Sequence, residues 1–410
     1  MPENPLSVKK NIVWNSVGNF IYLFSQWLLS FFVVRLLGFE NAGIFSLAIA
    51  IAGSFVGISL YGMRSFQVSD IEGKYPDKAY LLSRYITSLI ALVACLVFVA
   101  ANTYSFYISV CILVYMCFKL SESLSDVFQG ILQKAMRMDY IGKSFILKGV
   151  IVLAVFVASI ALTRNLLIGM IALVVSSFAI VLIYDQTKAA HFYVDTESTG
   201  WKACVKALLK ECLPIACFVF VFNMIAQVPR YFLESRVGAE ALGTYSTIAM
   251  PVVIVQVSAS FIFAPLTTPF AQSLNEGDTK KFMALFWKTI VFLLGLSAAA
   301  LIGFGFIGKW VLVLLFGQAI EPYTFLLMPL VVCTILVAVS WFLSTILIVL
   351  RRLKALLVIS IVSFAVVAAG SIPCIAAFGQ NGASFVLIIA LAAYVLMGIM
   401  VMAHGIKSVR

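Results

Sequence analysis

Gly38-Phe39-Glu40-Asn41-Ala42-Gly43-Ile44-Phe45-Ser46 is echoed two hundred positions later by Gly238-Ala239-Glu240-Ala241-Leu242-Gly243-Thr244-Tyr245-Ser246. Each copy stands where one long apolar run ends and the next begins, so it marks an equivalent helix-turn-helix corner. A chain that carries such a corner twice is built from two similar halves. Internal duplication in an apolar chain is the pattern from which membrane transporters make two bodies that rock about a central site.

The rest of the chain fits a membrane. Of its 410 residues, 63% are hydrophobic and 11% charged, a balance that would force a water-soluble fold to expose far too much apolar surface. Twelve apolar runs are long enough for a helix to cross about 30 Å of hydrocarbon. They fall at 11–37, 42–60, 79–101, 104–120, 141–162, 166–184, 213–233, 243–264, 282–307, 323–349, 356–378 and 382–403. The runs are continuous rather than alternating, which excludes the strands of a membrane barrel. Six spans separate the two corners, and an even number leaves both halves facing the same way. The expected fold is therefore all-α and polytopic, about twelve transmembrane helices in two six-helix bundles related by pseudo-twofold symmetry along the membrane normal. The expected domains are an N-terminal bundle over 1–190, a cytoplasmic interfacial linker helix over 191–212 and a C-terminal bundle over 213–410. Trp201 with Lys202, Lys206 and Lys210 at helical spacing marks that linker.

The net charge of +11 has a topological explanation. With a cytoplasmic N-terminus, only Arg35, Arg164, Arg230, Arg236 and Lys309 of the 28 basic residues fall on the far side. That bias places both termini in the cytoplasm, with no call for a nucleic-acid partner. Lys9 and Lys10 precede an apolar stretch too long for a secretion signal, so it reads as the first span. The eight cysteines form no CxxC and lie in or near spans, and His191 and His404 stand alone. Neither disulfides nor a metal are expected.

After the fourth span, Leu124, Val127, Phe128, Ile131, Leu132 and Ala135 recur with a helical period, opposite Glu122, Asp126, Gln129, Gln133 and Arg137. This predicts an amphipathic extension whose polar face is either solvated or lines the cytoplasmic mouth of a central cleft. Pro251, Pro265, Pro329 and Pro373 lie in or beside spans, where each favours a bend.

No catalytic constellation is present: there is no Walker loop, no HExxH, no paired carboxylates within a span and no plausible Ser-His-Asp set. The chain is expected not to be an enzyme. Polar residues concentrate instead on the first helix of each half. Asn15, Asn19, Tyr22, Gln26 and Ser30 share one face of the first span, and Asn223, Gln227, Arg230 and Glu234 share one face of the seventh. An unpaired amide or charge in hydrocarbon costs on the order of 2 to 4 kcal/mol, so these stripes should face water or another helix. Arg35 and Arg230 lie near the outer ends of those two helices. Arginine forks onto phosphate and amides bind sugar hydroxyls, so Asn15, Asn19, Gln26, Arg35, Asn223, Gln227 and Arg230 are the candidate contacts for an anionic, hydroxylated substrate. A cationic drug would call for acids, and none occurs between Glu3 and Glu40. Candidate gating residues are Arg64 and Asp70, read as a charge pair in the loop joining spans two and three, with Glu122, Asp126, Arg137 and Glu234.

Two further segments carry a family likeness. Gly62-Met63-Arg64-Ser65-Phe66-Gln67-Val68-Ser69-Asp70, and Glu122 followed by Ser125 through Ser144, resemble the bacterial polysaccharide-unit flippases, the O-antigen and teichoic-acid branch of the multidrug/oligosaccharidyl-lipid/polysaccharide exporter superfamily. The resemblance implies a twelve-helix, two-bundle protein of the bacterial inner membrane. It would carry a polyprenyl-diphosphate-linked oligosaccharide from the cytoplasmic to the outer leaflet by alternating access. No cofactor is implied; the coupling ion is H+ or Na+, or transport is facilitated diffusion. Partners would be the lipid-linked oligosaccharide, membrane lipids, and a polysaccharide polymerase and glycosyltransferases. The alternative within the superfamily is a cation-coupled multidrug exporter, whose acid on span one this chain lacks.

Overall fold

The computed structural model describes residues 7–70, 74–193, 201–263 and 266–407. Residues 194–200 of the expected linker, Pro265 and Arg410 lie outside them. Every regular element among the described residues is helical. Eleven helices are long and apolar enough to cross a membrane. The first, α1 (Val8–Leu60), has 53 residues, roughly 80 Å at about 1.5 Å per residue, far more than one crossing requires. Its backbone breaks at Gly38 (φ 83°, ψ 178°), so it supplies two spans, and the described residues supply twelve. This is a multi-pass membrane protein.

Only glycine occupies such a backbone region at little cost, and the second corner repeats the solution with Gly238 at φ 107°. In both copies the glutamate two residues on is exposed, whereas Gly43 and Phe45, and Gly243 and Tyr245, are buried. The repeated letters thus encode a repeated piece of structure: a positive-φ stop, an exposed acid at the new helix start, and a buried glycine and ring that seat it.

The chain divides into two compact units, Met1–Asn223 and Met224–Arg410. In the first, α1 packs on α3 (Asp77–Ala101), α4 (Phe106–Lys134) and α5 (Met138–Leu147). Backbone meets backbone where α1 crosses α5: a β-carbon on Gly18 would lie 2.5 Å from the carbonyl oxygen of Gly142. Phe45 packs edge-on against Tyr115 and close to Phe156 in the core. A π-helical segment, Lys148–Val152, joins α5 to α6 (Leu153–Thr163), and a second, Val181–Asp185, joins α7 (Leu166–Ile180) to α8 (Gln186–Ala190).

In the second unit, α10 (Ala239–Phe263), α11 (Thr267–Asn275), α12 (Thr279–Phe316) and α13 (Leu327–Val349) meet around Phe263, Phe270, Phe282, Phe286 and Phe342. Helices α14 (Leu353–Phe378) and α15 (Gln380–Lys407) form a tight hairpin around Gly379. Pro251 and Pro373 lie inside α10 and α14.

Two expectations change. The linker and seventh span are one uninterrupted helix, α9 (Trp201–Val237). Its first turns do not form a separate surface helix: Leu208 and Cys212 are buried with Met63, Tyr75, Tyr80 and Val127 of the first unit. The extension after the fourth span is likewise part of α4. Its apolar side, Val127, Phe128, Ile131 and Leu132, is covered, while on the polar side Gln129 is 3% exposed and Glu122, Asp126 and Gln133 are half-buried. That side is thus not a freely solvated face, because Arg64 and Arg84 of neighbouring helices supply partners to Asp126.

Candidate functional site

Among the described residues, the buried charged side chains are Asp77, Arg84, Arg137, Asp139, Lys148 and Asp185. All belong to the first unit, and three of them, Arg84, Lys148 and Asp185, organise two linked clusters around the C-terminal part of α4. Asp126 of α4 is held from two sides: Arg64, on the short helix α2 (Met63–Ser69), reaches Oδ1 at 3.1 Å, and Arg84 of α3 reaches Oδ2 at 2.7 Å. Arg64 also donates to Gln129 Oε1 (3.0 Å) and, through Nε and Nη2, to Gln133 Oε1. Arg84 is fully buried; it donates to the carbonyl of Ser59 at 2.7 Å and to Ser123 Oγ at 3.3 Å, while its Nε has no partner among the described residues. The hydroxyls of Ser59, Ser88 and Ser123 extend this network across α1, α3 and α4.

Gln129 connects it to the second cluster by donating to Ser125 Oγ (3.0 Å). Ser125 in turn donates to Asp185 Oδ2 at 2.5 Å, and Lys148 Nζ binds both Ser125 and Asp185, the latter at 2.8 Å. Lys148 and Asp185 are 3% and 0% exposed, so this is a dry ion pair. Lys148 opens one π-helical segment and Asp185 closes the other. Single π turns inside α-helices recur at functional positions, and ionisable side chains inside a membrane bundle are costly to keep unless they serve a purpose. Sequence reasoning missed this pair and Arg84. Arg84 and Lys148 entered the count of topogenic charges. The available signal was that both cations fall inside, not between, apolar runs.

The expected pairing of Arg64 with Asp70 is corrected. Arg64 turns to α4, while Asp70 accepts from the backbone N–H of Lys74 (2.7 Å) and Tyr75 (2.9 Å) and from the Tyr80 hydroxyl (3.2 Å). Burial opposes the ionised carboxylate, but the two backbone donors and the phenol outweigh it and hold Asp70 below the ordinary carboxylate range. Lys74 then pairs with Glu211 of α9 at 2.6 Å.

The remaining candidates are placed as follows. Glu122 pairs with Lys119 at 2.7 Å. Arg137 forks onto Asp139 (2.9 and 3.0 Å) and lies over the Tyr140 ring. Asn15, Asn19 and Gln26 are half-buried on one face of α1, with no side-chain hydrogen bond recorded among the described residues. Asn11, one turn earlier, is spent on structure: it bonds Met136 and Met138 across the α4–α5 turn. Arg35 is exposed and lies over Phe31. A β-carbon at Gly57 would lie 3.7 Å from Asn223 Nδ2. In the second unit, Gln227, Arg230 and Glu234 are half-buried on α9, and Gln227 Oε1 has no partner among the described residues. Tyr245 shares a 3.1 Å hydrogen bond with Ser384.

A twelve-crossing bundle with polar groups reserved on α1 and α9 can be compared with known proteins. Residues 8–274 match the family model described as "Polysaccharide biosynthesis protein". The chain belongs to that family. The capsular polysaccharide biosynthesis protein CapF of Staphylococcus aureus is 27% identical over 315 residues, covering 75% of this chain and 77% of CapF. Among solved structures, the inward-facing form of a multidrug resistance MATE family transporter of the MOP superfamily aligns with a TM-score of 0.72 at 14% identity, covering 97% of this chain and 99% of that one. An outward-facing form aligns at 0.69 and 16%, covering 98% and 96%. A MOP superfamily transporter from Pyrococcus furiosus aligns at 0.64 and 17%, covering 100% and 97%. At these identities the likeness establishes the fold: this polysaccharide biosynthesis family member has the two-lobed helical fold of MOP superfamily transporters.

Proposed function

We propose that this family member is a flippase that carries a polyprenyl-diphosphate-linked oligosaccharide from the cytoplasmic to the outer leaflet of the bacterial inner membrane. It works by alternating access between an inward-open and an outward-open state, with both termini cytoplasmic. The observation that carries this reading is the row of half-buried amides on α1 that make no side-chain hydrogen bond among the described residues, in a family named for polysaccharide biosynthesis. Asn15, Asn19 and Gln26 offer donors and acceptors that the described residues do not use, which is what a hydroxylated head group requires to leave water. Asn223, Gln227 and Arg230 supply the same chemistry on α9, and Arg35 and Arg230 supply charge for diphosphate. The clusters around Asp126 and Lys148–Asp185, whose charges are paired within the first unit, act on the conformational equilibrium rather than on the glycan, and Glu122, Arg137, Asp70 and Glu234 are the further gating residues. The driving force is an H+ or Na+ gradient or the lipid-linked gradient itself. Polymerase and glycosyltransferases would act on either side of the step.

The deciding experiment is deletion of the gene followed by sided analysis of lipid-linked intermediates. Accumulation on the cytoplasmic leaflet, relieved by the intact gene, supports the reading. Normal export in the deletion strain, with increased sensitivity to cationic drugs, would instead favour a multidrug exporter.

A further inference from the structure

Four rings stack up the first half of α1. Phe20 lies 6.3 Å from Phe24, Phe24 5.8 Å from Trp27, and Trp27 5.6 Å from Phe31, centroid to centroid. Their spacing of four, three and four keeps them on one stripe, away from the Gly18 side that packs on α5. Phe20 and Phe24 are 60% and 52% exposed. Asn19, Gln26 and Ser30 each directly precede a ring residue, so the polar row runs beside the aromatic one, about 100° round the same helix.

Each end of the stretch of α1 that carries this row has a cation over a ring. At the outer end Arg35 stands 5.9 Å from the Phe31 centroid, and at the inner end, on the α5-packed face one turn before Gly18 rather than on the stripe itself, Lys143 stands 5.3 Å from the centroid of Trp14. From Trp14 to Arg35 the helix rises roughly 31 Å at about 1.5 Å per residue, against about 30 Å of hydrocarbon. Lys143 is part of a concentration of positive charge: Arg137, Lys143 and Lys188 all lie within 5.4 Å of the Tyr140 centroid. Asp139 is shared between Arg137 and Lys143, and no carboxylate partner is recorded for Lys188 among the described residues.

We propose that the aromatic row of α1 is the track for the isoprenoid tail of the lipid-linked substrate, with its diphosphate received at Lys143 and Lys188 and delivered towards Arg35. Methyl-branched, unsaturated chains pack well on ring faces. The neighbouring amide row takes the glycan, so one helix keeps the two halves of an amphipathic substrate on adjacent faces throughout the passage. Cations one hydrocarbon thickness apart complement a diphosphate at the start and the end of that passage. The identity of the head group rests on the function proposed above.

The test places a benzophenone amino acid at Phe24 and, for comparison, at Leu89, an α3 position that is 62% exposed. Each full-length protein is reconstituted in phosphatidylglycerol and phosphatidylethanolamine vesicles containing tritiated polyprenyl diphosphate and irradiated. Several-fold more tritium at position 24 than at 89 is expected, with the excess lost in the Lys143→Gln, Lys188→Gln background. Equal labelling at both positions, or adducts with phospholipid acyl chains only, would overturn the track. Selective labelling that survives the two lysine changes would overturn the assignment of the diphosphate to that end. Export of lipid-linked oligosaccharide by the unsubstituted protein is scored separately. Its absence alongside selective labelling would sink the flippase reading and leave the lipid track standing.

Discussion

Asp126 pairs with two guanidiniums at once, Arg64 at 3.1 Å and the fully buried Arg84 at 2.7 Å. The arrangement is asymmetric, because Arg64 keeps 28% of its side chain exposed and Arg84 none. Removing the carboxylate therefore strands Arg84 in a dry site, at a cost of about 3 to 5 kcal/mol. Asp126→Asn should lower the unfolding temperature in detergent sharply, whereas Arg64→Gln should lower it little. Adding Arg84→Met to Asp126→Asn should recover much of the loss. Additive effects of the two changes in a double-mutant cycle would refute the shared-carboxylate account.

The first helix and the corners were legible because they depend on local pattern: apolar runs of spanning length, and glycines at 38 and 238 whose neighbours repeat. The clusters were not, because their pairings are nonlocal. Nothing local in Gly62 to Asp70 says that Arg64 bonds a residue sixty-two positions away rather than the acid six positions on. Charge counting even worked against the site, since tallying Arg84 and Lys148 with the topogenic charges, although both fall inside apolar runs, explained their presence and closed the question. The continuity of α9 was obscured by its basic first turns, which look interfacial until the burial of Leu208 and Cys212 shows them docked.

Lys148 and Asp185 give a second prediction. Either single change, Lys148→Met or Asp185→Leu, leaves a buried charge without its partner and should reduce protein abundance. The double apolar variant removes both charges and should restore abundance. If the π-helical segments they terminate move during transport, that abundant double variant should still export poorly. Full export by it would confine the pair to a structural role.

Topology can be checked directly. The basic-residue bias predicts that a reporter fused after Arg410 is cytoplasmic and that one inserted at Gln380, between α14 and α15, is on the outer side. Finding both on one side would remove the twelve-crossing arrangement.

For Arg230, half-buried on α9 near Gln227, whose Oε1 has no partner among the described residues, Ala should abolish export at normal abundance. Lys should restore only part, because an ammonium lacks the planar fork that grips phosphate. Export assayed through surface polysaccharide, normalised to protein in the membrane, separates the outcomes. Undiminished export in the Ala variant would make Arg230 an interfacial anchor.

Asp70 acts through the backbone, which makes its effect pH-dependent. Its carboxyl is held below the ordinary range, so the stability it contributes is fully present above its unfolded pKa and is lost as pH falls through the lower folded value. At neutral pH the 74–76 loop should therefore be docked, with Tyr75 buried and Lys74 presented to Glu211. Asp70→Asn keeps an acceptor oxygen but loses the charge, so it should weaken docking at pH 7 and remove the acid-dependent part. The exposed Lys74–Glu211 pair follows the loop rather than holding it, since such pairs contribute at most about 1 kcal/mol. Hydrogen exchange at the Tyr75 amide, followed from neutral to acid pH, reads this out. Protection that is as high in Asp70→Asn as in the parent would show that the packing of Tyr75 and Tyr80 on Leu208, and not the carboxylate, fixes the loop.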